Sequence, residues 1–324
     1  MDLERHQTKL IAVAVAVGLV AGQSPPVAAA GEALVLPFLV GMLVALFGGL
    51  RVAGVRRGLR NRRMVATSLG VNFLWSPLLA VGLGAVFLAG EPDLRLGLLM
   101  LFVTPCTDWY LFFTRVADGD VELAATLLPY NLLFQLVLLP VYILLFAGTV
   151  AGVDLQVFAE GLGLVLGVPL AVVAVGWLAV ERSGRARRAY RRVEPSLSDV
   201  QVLALTAAVA AMVASQADLV VARPGVLALV AVPVVAFYAV NLALALLLGR
   251  LLGFDHGETV CLACTTLSRN SPTALAIAVA TFPHRPLVAL ALVVGPLVEV
   301  PLLSVVARLL LAARDRGLTG PAAT

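Results

Sequence analysis

The sequence predicts an all-α polytopic membrane protein with ten transmembrane helices, arranged as two inverted five-helix repeats with broken, crossed helices 4 and 9. Composition is the first observation: of 324 residues, 61% are hydrophobic, only 13% are charged, and the mean hydropathy is +1.01. Soluble domains are about 45–50% apolar and about 25% charged. The other two observations are the positions of the basic residues and a pair of polar, proline-containing interruptions.

Apolar stretches follow one another along the whole chain and leave no room for a soluble domain. A membrane-spanning helix needs about 20 apolar residues, and loops of ~2–8 residues join neighbouring helices. The chain therefore accommodates about ten spans. We predict them at residues 7–22, 34–50, 64–89, 94–117, 121–147, 157–180, 198–217, 225–252, 257–282 and 285–312.

The basic residues predict the orientation of these spans. Six arginines lie within residues 51–63 and six more within 181–192, each group between two apolar stretches. With the N-terminus inside and ten alternating spans, 19 of the 23 Lys and Arg residues lie on the cytoplasmic side, three lie outside, and Arg269 lies within the membrane. The positive-inside rule expects this distribution. We predict a multi-pass protein of the cell (inner) membrane with both termini cytoplasmic. The net charge of +4 would suit nucleic acid, but the location of the basic residues between apolar stretches indicates no nucleic-acid partner.

The chain divides into residues 1–150 and 151–324, each with five predicted spans. Because five is odd, the second half enters the membrane from the opposite side, which is the arrangement of an inverted repeat. Weak sequence echoes agree, since VNFL at 71–74 in span 3 resembles VNLA at 240–243 in span 8. We therefore expect one inverted repeat in each half.

The main functional signal is a polar interruption near the middle of span 4 and another in span 9, its partner under the repeat. Residues 104–108 read TPCTD and residues 265–273 read TTLSRNSPT. Proline disrupts the preceding helical turn, and backbone groups freed at mid-bilayer need partners from protein or a water-filled cavity. Paired discontinuous helices favour a substrate site at the midplane; ordinary proline kinks are the alternative. The candidate substrate-binding residues are Cys106, Thr104, Thr107, Asn131, Asn270 and Ser271.

Three charged residues lie deep within the predicted spans. Asp108 and Arg269 lie at the two breaks, and a lone charge at a helix centre costs ~2.5–3.5 kcal/mol on insertion scales, so we predict that they pair. The pair either locks the helix crossing or opens and closes during transport. Glu299 lies between Pro296 and Pro301 in span 10. Its apolar surroundings suit a proton-binding site, and the alternative is one structural hydrogen bond. These three residues are the candidates for proton and charge coupling.

The three cysteines, Cys106, Cys261 and Cys264, all lie inside apolar spans and imply no disulfide framework. A thiol at the break in span 4 favours a soft ligand, whereas the alternative for Cys106 is a small buried hydrophobe. Cys261 and Cys264 share a face of span 9 because they are three residues apart, and we favour packing over zinc binding there. The sequence predicts no metal site and no cofactor.

At these residues the sequence resembles a known family. The strings TPCT at 104–107 and GPLVEVP at 295–301 resemble those of the Acr3 arsenite permeases, which share a superfamily with the bile acid:sodium symporters. The resemblance covers nearly the whole chain. It implies a ten-helix fold whose panel and core domains interleave both halves, with helices 4 and 9 crossed. It also implies that Cys106 contacts arsenite or antimonite and that Glu299 takes part in proton-coupled export.

The sequence departs from both branches of that superfamily in span 9. Acr3 proteins carry an Asn-Phe-Phe-Glu-like string there, whereas Asn270 is followed by Ser-Pro-Thr in this chain. The bile-acid branch binds sodium with a Glu and a Gln in this helix, and no such pair occurs between Thr265 and Ala280. This difference argues against sodium coupling by the site known in that branch.

These observations predict a secondary active transporter and not an enzyme. The leading hypothesis is arsenite or antimonite efflux coupled to proton antiport. One alternative is a symporter of an organic anion in which Arg269 meets a carboxylate or sulfonate; a remoter one is a non-transport membrane sensor. The expected partners are a small inorganic or organic anion or metalloid as substrate, a proton or cation as coupling ion, and the lipid bilayer.

Overall fold

The computed structural model of the chain describes residues 7–49, 61–106, 109–147, 156, 160, 163–222, 225–317 and 319. Within these residues the chain is helical and contains no strand beyond a single backbone bridge. The helices are α1 (Gln7–Ala21), α2 (Pro25–Gly49), α3 (Arg62–Phe87), α4 (Pro92–Phe102), α5 (Trp109–Val116), α6 (Val121–Leu145), α7 (Gly163–Arg182), α8 (Gly184–Val193), α9 (Leu197–Ser215), α10 (Ala217–Ala222), α11 (Gly225–Leu252), α12 (His256–Leu267), α13 (Ser271–Thr281) and α14 (Pro286–Asp315).

Six continuous helical segments in the described part of the chain are long and apolar enough to cross a membrane. They are α2, α3, α6, α7, α11 and the segment formed by α8 and α9. Predicted span 4 corresponds to two short helices, α4 and α5, and predicted span 9 corresponds to α12 and α13. The all-helical membrane class is confirmed, while the ten-span inverted repeat stays a prediction.

The structure differs from the sequence prediction in two places. Helix α2 begins at Pro25 and not near residue 34, because proline fits the first helical turn, where its missing N–H has no intrahelical partner to lose. The arginine-rich segment between predicted spans 6 and 7 forms α8, which has no buried residue and begins at a Ser183 side-chain cap. Arginine is a good helix former, so a basic sequence between two spans does not exclude a helix.

The first of two compact units comprises residues 1–51, 153–226 and 272–293. In its described part, α9 packs against both α1 and α2. Small residues permit this close approach: a Cβ atom at Gly18 would lie 2.7 Å from the Ala210 carbonyl oxygen, and one at Gly31 would lie 2.6 Å from that of Ala211. Such contacts between helix backbones are typical of membrane proteins.

The second unit comprises residues 52–152, 227–271 and 294–324. Its central helices are α4 and α12, whose residues are buried on all sides from Leu96 to Phe102 and from Thr259 to Leu267. By contrast α3, α6 and α11 expose large apolar side chains on one face, as expected of helices in contact with lipid. The polar breaks after α4 and α12 therefore lie in the interior of this unit.

Candidate functional site

The two helix breaks lie side by side in the second unit. Pro105 and Arg269 form an isolated antiparallel backbone bridge. Next to it, the Cys106 N–H donates to the Ser268 carbonyl oxygen at 3.0 Å. Backbone groups that leave the helical pattern inside a membrane protein must find such partners. The pairing explains how the chain tolerates two interruptions in its most buried helices.

The side chain of Arg269 lies at the centre of this crossing. It is only 2% exposed, and its guanidinium donates to four oxygen atoms. The acceptors are Phe102 O at 2.8 Å from Nη1, Asn72 Oδ1 at 2.9 Å from Nη2, Leu267 O at 3.3 Å from Nε, and Thr266 O. Charge-assisted hydrogen bonds of this kind are the strong ones, so the guanidinium is held in one orientation.

An aromatic pair lies against the same guanidinium. The central carbon of the Arg269 guanidinium lies over the ring of Phe237, 5.1 Å from the ring centroid. Phe237 in turn stacks on Phe102, with 3.9 Å between ring centroids and 12° between ring planes. The negative face of an aromatic ring attracts a cation, which further stabilises the charge at this depth.

A carboxyl, a phenol and a thiol complete the cluster. Glu299 is 4% exposed, and its Oε1 accepts the backbone N–H of Arg269 at 2.7 Å. The hydroxyl of Tyr238 lies beside the Glu299 carboxyl. The thiol of Cys106, also 4% exposed, is close enough to interact electrostatically with Tyr238 and Arg269. Four side chains of different chemistry therefore meet at the crossing.

A chain of amide groups extends the cluster from α12 to α3 and α6. Asn72 lies in a π-helical turn of α3, Val71–Trp75, and such turns are frequent at functional sites. Its Nδ2 donates to Asn131 Oδ1 at 3.2 Å and to the Thr265 carbonyl oxygen at 3.3 Å. Asn131 Nδ2 donates to Thr265 Oγ1 at 3.0 Å. Asn72 thus connects Asn131 directly to Arg269.

One turn beyond Asn131 on α6, Gln135 is 1% exposed, and neither atom of its side-chain amide has a hydrogen-bond partner among the described residues. A buried amide without partners is costly. Water or a bound solute would satisfy it.

The structure brings several of the predicted site residues together, and others lie apart from the cluster. Cys106, Arg269 and Glu299 come together, and Asn270 joins them because its N–H donates to the Thr104 carbonyl oxygen at 2.6 Å. Asn131 belongs to the amide chain described above. The hydroxyl of Thr104 turns back on α4, within 2.9 Å of the Met100 carbonyl oxygen and 3.0 Å of that of Leu101.

Ser271 is buried, and its Oγ has no hydrogen-bond partner within the described part of the chain. Thr107 and Asp108 lie outside the described residues. The predicted ion pair between Asp108 and Arg269 therefore stays a prediction.

Sequence reasoning missed the aromatic members of the cluster. Phe102, Phe237 and Tyr238 have the composition of ordinary core residues, and nothing in the local sequence distinguishes them. The one available signal was helical spacing, because Phe237 and Tyr238 precede Asn241 by four and three residues and share its buried face of α11.

The comparison with known proteins agrees with this architecture. A profile described as the Sodium Bile acid symporter family matches residues 36–223, more than half of the chain. The chain belongs to this family. It is similar to the arsenical-resistance protein Acr3 of Corynebacterium glutamicum, with 24% identity over 83% of this chain and 76% of that protein. It is also similar to the uncharacterized protein YbaS of Bacillus subtilis, with 26% identity over 76% of this chain and 78% of that protein.

As a member of the sodium bile acid symporter family, the protein is a multi-pass membrane transporter. The family resemblance that the sequence strings at 104–107 and 295–301 indicated is confirmed. In this family member the buried crossing carries a permanent cation, a carboxyl and a thiol within one connected cluster. Intramembrane ionisable groups are expensive and mark substrate or ion pathways.

Proposed function

We propose that this sodium bile acid symporter family member exports arsenite or antimonite from the cytoplasm in exchange for protons. The observation that carries the proposal is the meeting of Cys106, Tyr238, Arg269 and Glu299 at the crossing of two broken helices. A thiol is a soft ligand and suits a trivalent metalloid. The relative from Corynebacterium glutamicum, an arsenical-resistance protein by name, supports the same substrate.

The donor set suits reversible binding. Arsenite is largely an uncharged trihydroxide near neutral pH, and one thiol with neighbouring hydroxyl groups binds it loosely. Three thiolates would hold it so tightly that release would be slow. Cys106 is the thiol at the crossing, and Tyr238 supplies a hydroxyl to the same cluster. A transport site must bind and also release its substrate at each cycle.

The coupling step runs through Glu299. An ionised carboxylate accepts a backbone N–H more strongly than a neutral carboxyl does, and Glu299 Oε1 accepts the N–H of Arg269 at 2.7 Å. Proton binding to Glu299 therefore weakens a bond to the residue that pairs with Pro105 across the two breaks. Protonation and the geometry of the crossing are linked in this way.

Uptake of an organic anion is less well supported. A substrate carboxylate needs free N–H groups on Arg269, and four of the five N–H groups of its guanidinium already donate to protein oxygens. An anion would have to displace backbone carbonyls at the ends of two helices. We therefore favour an uncharged metalloid as the substrate.

A growth assay tests the proposal. The protein is expressed in arsenite-sensitive cells, and survival and intracellular arsenic are measured for the wild type, Cys106→Ser and Cys261→Ser. Cys261 is a matched control because it is also buried and free but belongs to α12 away from the break. We expect wild type and Cys261→Ser to restore growth and lower intracellular arsenic, and Cys106→Ser to do neither at equal expression.

Normal resistance in cells with Cys106→Ser would remove the thiol from the mechanism. Failure of the wild type to lower intracellular arsenic would overturn the choice of metalloid substrate.

A further inference from the structure

The arginine-rich helix α8 joins two membrane-spanning helices of the first unit. It begins two residues after Arg182, the last residue of α7, and ends at Val193, four residues before α9 begins at Leu197. The hydroxyl of Tyr190 donates to the carbonyl oxygen of Gly48, the second-to-last residue of α2, at 3.0 Å. The ends of three apolar helices therefore meet at α8, and this meeting places α8 at a membrane surface.

Helix lengths agree with this depth. Helix α9 has 19 residues and is therefore ~28 Å long, close to the ~30 Å thickness of the hydrocarbon core. The ten residues of α8 add ~15 Å beyond that core, and the headgroup layer on each side is ~5–8 Å thick. Helix α8 therefore lies among the lipid headgroups or directly next to them.

The charges of α8 lie on one side of the helix. At ~100° per residue, its arginines fall within an arc of ~160°, which we name the arginine face: Arg185, Arg187, Arg188, Arg191 and Arg192. All five are exposed. The opposite side carries Ala186, Ala189, Tyr190 and Val193, and it is the side that contacts α2. Helix α8 contains no acidic residue, and no ion pair to the arginine face occurs among the described residues.

We propose that the arginine face of α8 binds the phosphate groups of anionic lipids in the adjoining membrane leaflet. A guanidinium recognises phosphate with two parallel hydrogen bonds, and a group of basic residues at a membrane attracts a negatively charged lipid surface. Under the predicted orientation this leaflet is the cytoplasmic one, which carries anionic lipids. The proposal does not depend on the substrate that the protein transports.

The surroundings of α8 favour a lipid over a soluble phosphate compound. Both ends of the helix continue into membrane spans, so its arginines stay at the depth of the headgroups. Val193 is 52% exposed on the side opposite the arginine face. An apolar side chain opposite a basic face is typical of a helix at the boundary between headgroups and acyl chains, where long arginine side chains reach the phosphate layer.

The test is the melting temperature of the purified protein in detergent micelles with increasing mole fractions of dioleoyl phosphatidylglycerol. Dioleoyl phosphatidylcholine is the neutral lipid with the same acyl chains. A lipid that binds only the folded state raises its stability, and we expect a saturable rise of about 3 °C with phosphatidylglycerol alone. Raising NaCl from about 50 to about 500 mM should reduce this rise, because salt screens exposed charges.

A double variant tests whether the arginine face is responsible. Arg188→Gln combined with Arg192→Gln removes two charges that lie one helical turn apart. A basic residue near an anionic membrane surface raises affinity about fivefold, so the half-saturating mole fraction of phosphatidylglycerol should rise at least about tenfold. The matched control is Arg308→Gln combined with Arg316→Gln, which removes the same charge from two other exposed positions. Its response should equal that of the wild type.

Equal melting responses to the two lipids would overturn the inference, as would a wild-type response of the α8 double variant or equal losses in both double variants. An equal or larger rise with inorganic phosphate or a short RNA oligonucleotide, at the same phosphate concentration, would show that a soluble anion and not a lipid is the partner. Loss of the lipid response with unchanged melting in pure detergent supports the proposal, because the variant is then folded.

Discussion

Among single residues, Glu299 links the chemistry of the site most directly to the backbone of the crossing. In Glu299→Gln the side-chain carbonyl still accepts the Arg269 N–H, so the hydrogen bond of 2.7 Å and the fold are retained. The exchangeable proton is lost. We expect proton-driven arsenite uptake into everted vesicles to fall to background, while the protein expresses and melts like the wild type.

Glu122→Gln is the control for this change, because Glu122 is an exposed carboxyl in the first turn of α6. It should transport like the wild type. If Glu299→Gln still accumulated arsenite under a proton gradient, Glu299 would not be the proton carrier.

Gly295 gives a second prediction about one residue. A Cβ atom at this position of α14 would meet the Ser271 hydroxyl and would lie 2.9 Å from Leu101 Cδ1. Overpacking of a buried contact typically costs ~1–3 kcal/mol. We expect Gly295→Ala to lower the melting temperature, whereas Gly82→Ala should not, because a Cβ there would meet nothing within 4 Å. Identical melting temperatures of the two variants would show that the contacts around Gly295 accommodate the added methyl group without loss of stability.

Among the helices, α12 depends on its first turn for its position. Asp255 Oδ1 accepts the Glu258 N–H at 2.7 Å, and the Asp255 N–H donates to Glu258 Oε2 at 3.2 Å, which forms a capping box. Glu258 Oε1 also accepts Asn61 Nδ2 at 2.7 Å, and Asn61 is the cap of α3. One carboxylate therefore joins the first turns of two helices that reach the site.

Removing this cap should be costly for the whole second unit. We expect Asp255→Ala to destabilise the folded protein by ~1–2 kcal/mol, as measured from its melting in detergent. Asp255→Asn keeps an oxygen acceptor for the Glu258 N–H and should lie within a few tenths of a kcal/mol of the wild type. A loss of equal size in both variants would mean that charge, and not capping, positions the helix.

Helix positions were predictable where length and hydropathy alone decide them. Span 8 was predicted at 225–252 and coincides with α11 (Gly225–Leu252). The start of α2 and the existence of α8 were not predictable in this way. Both segments lay outside the predicted spans, but proline is tolerated in a first turn and arginine is a good helix former.

Within the site, only residues whose burial in the membrane costs free energy could be predicted from the sequence. A charge within an apolar span is expensive, so Arg269 and Glu299 were found. Their partners were not found, because the oxygens that hold the guanidinium are mostly backbone carbonyls. Backbone atoms have no sequence signature, and Phe237 is indistinguishable from any other core residue.

For the molecule as a whole, the distribution of arginine makes a prediction that the helices alone do not. If ten spans alternate from a cytoplasmic N-terminus, the turn between α3 and α4 lies outside and α8 lies in the cytoplasm. Gly90 and Arg188 are exposed residues in these two segments. We expect Gly90→Cys to react with a membrane-impermeant maleimide in intact cells, and Arg188→Cys to react only after permeabilisation.

The native cysteines interfere little with this labelling experiment, since Cys106, Cys261 and Cys264 are all buried. The parent protein measures whatever background they give. Three predicted spans separate the two introduced cysteines. If both were labelled from the same side of the membrane, the number of spans between them would have to be even. That result would remove the inverted repeat, because two halves of five spans each place these segments on opposite faces of the membrane.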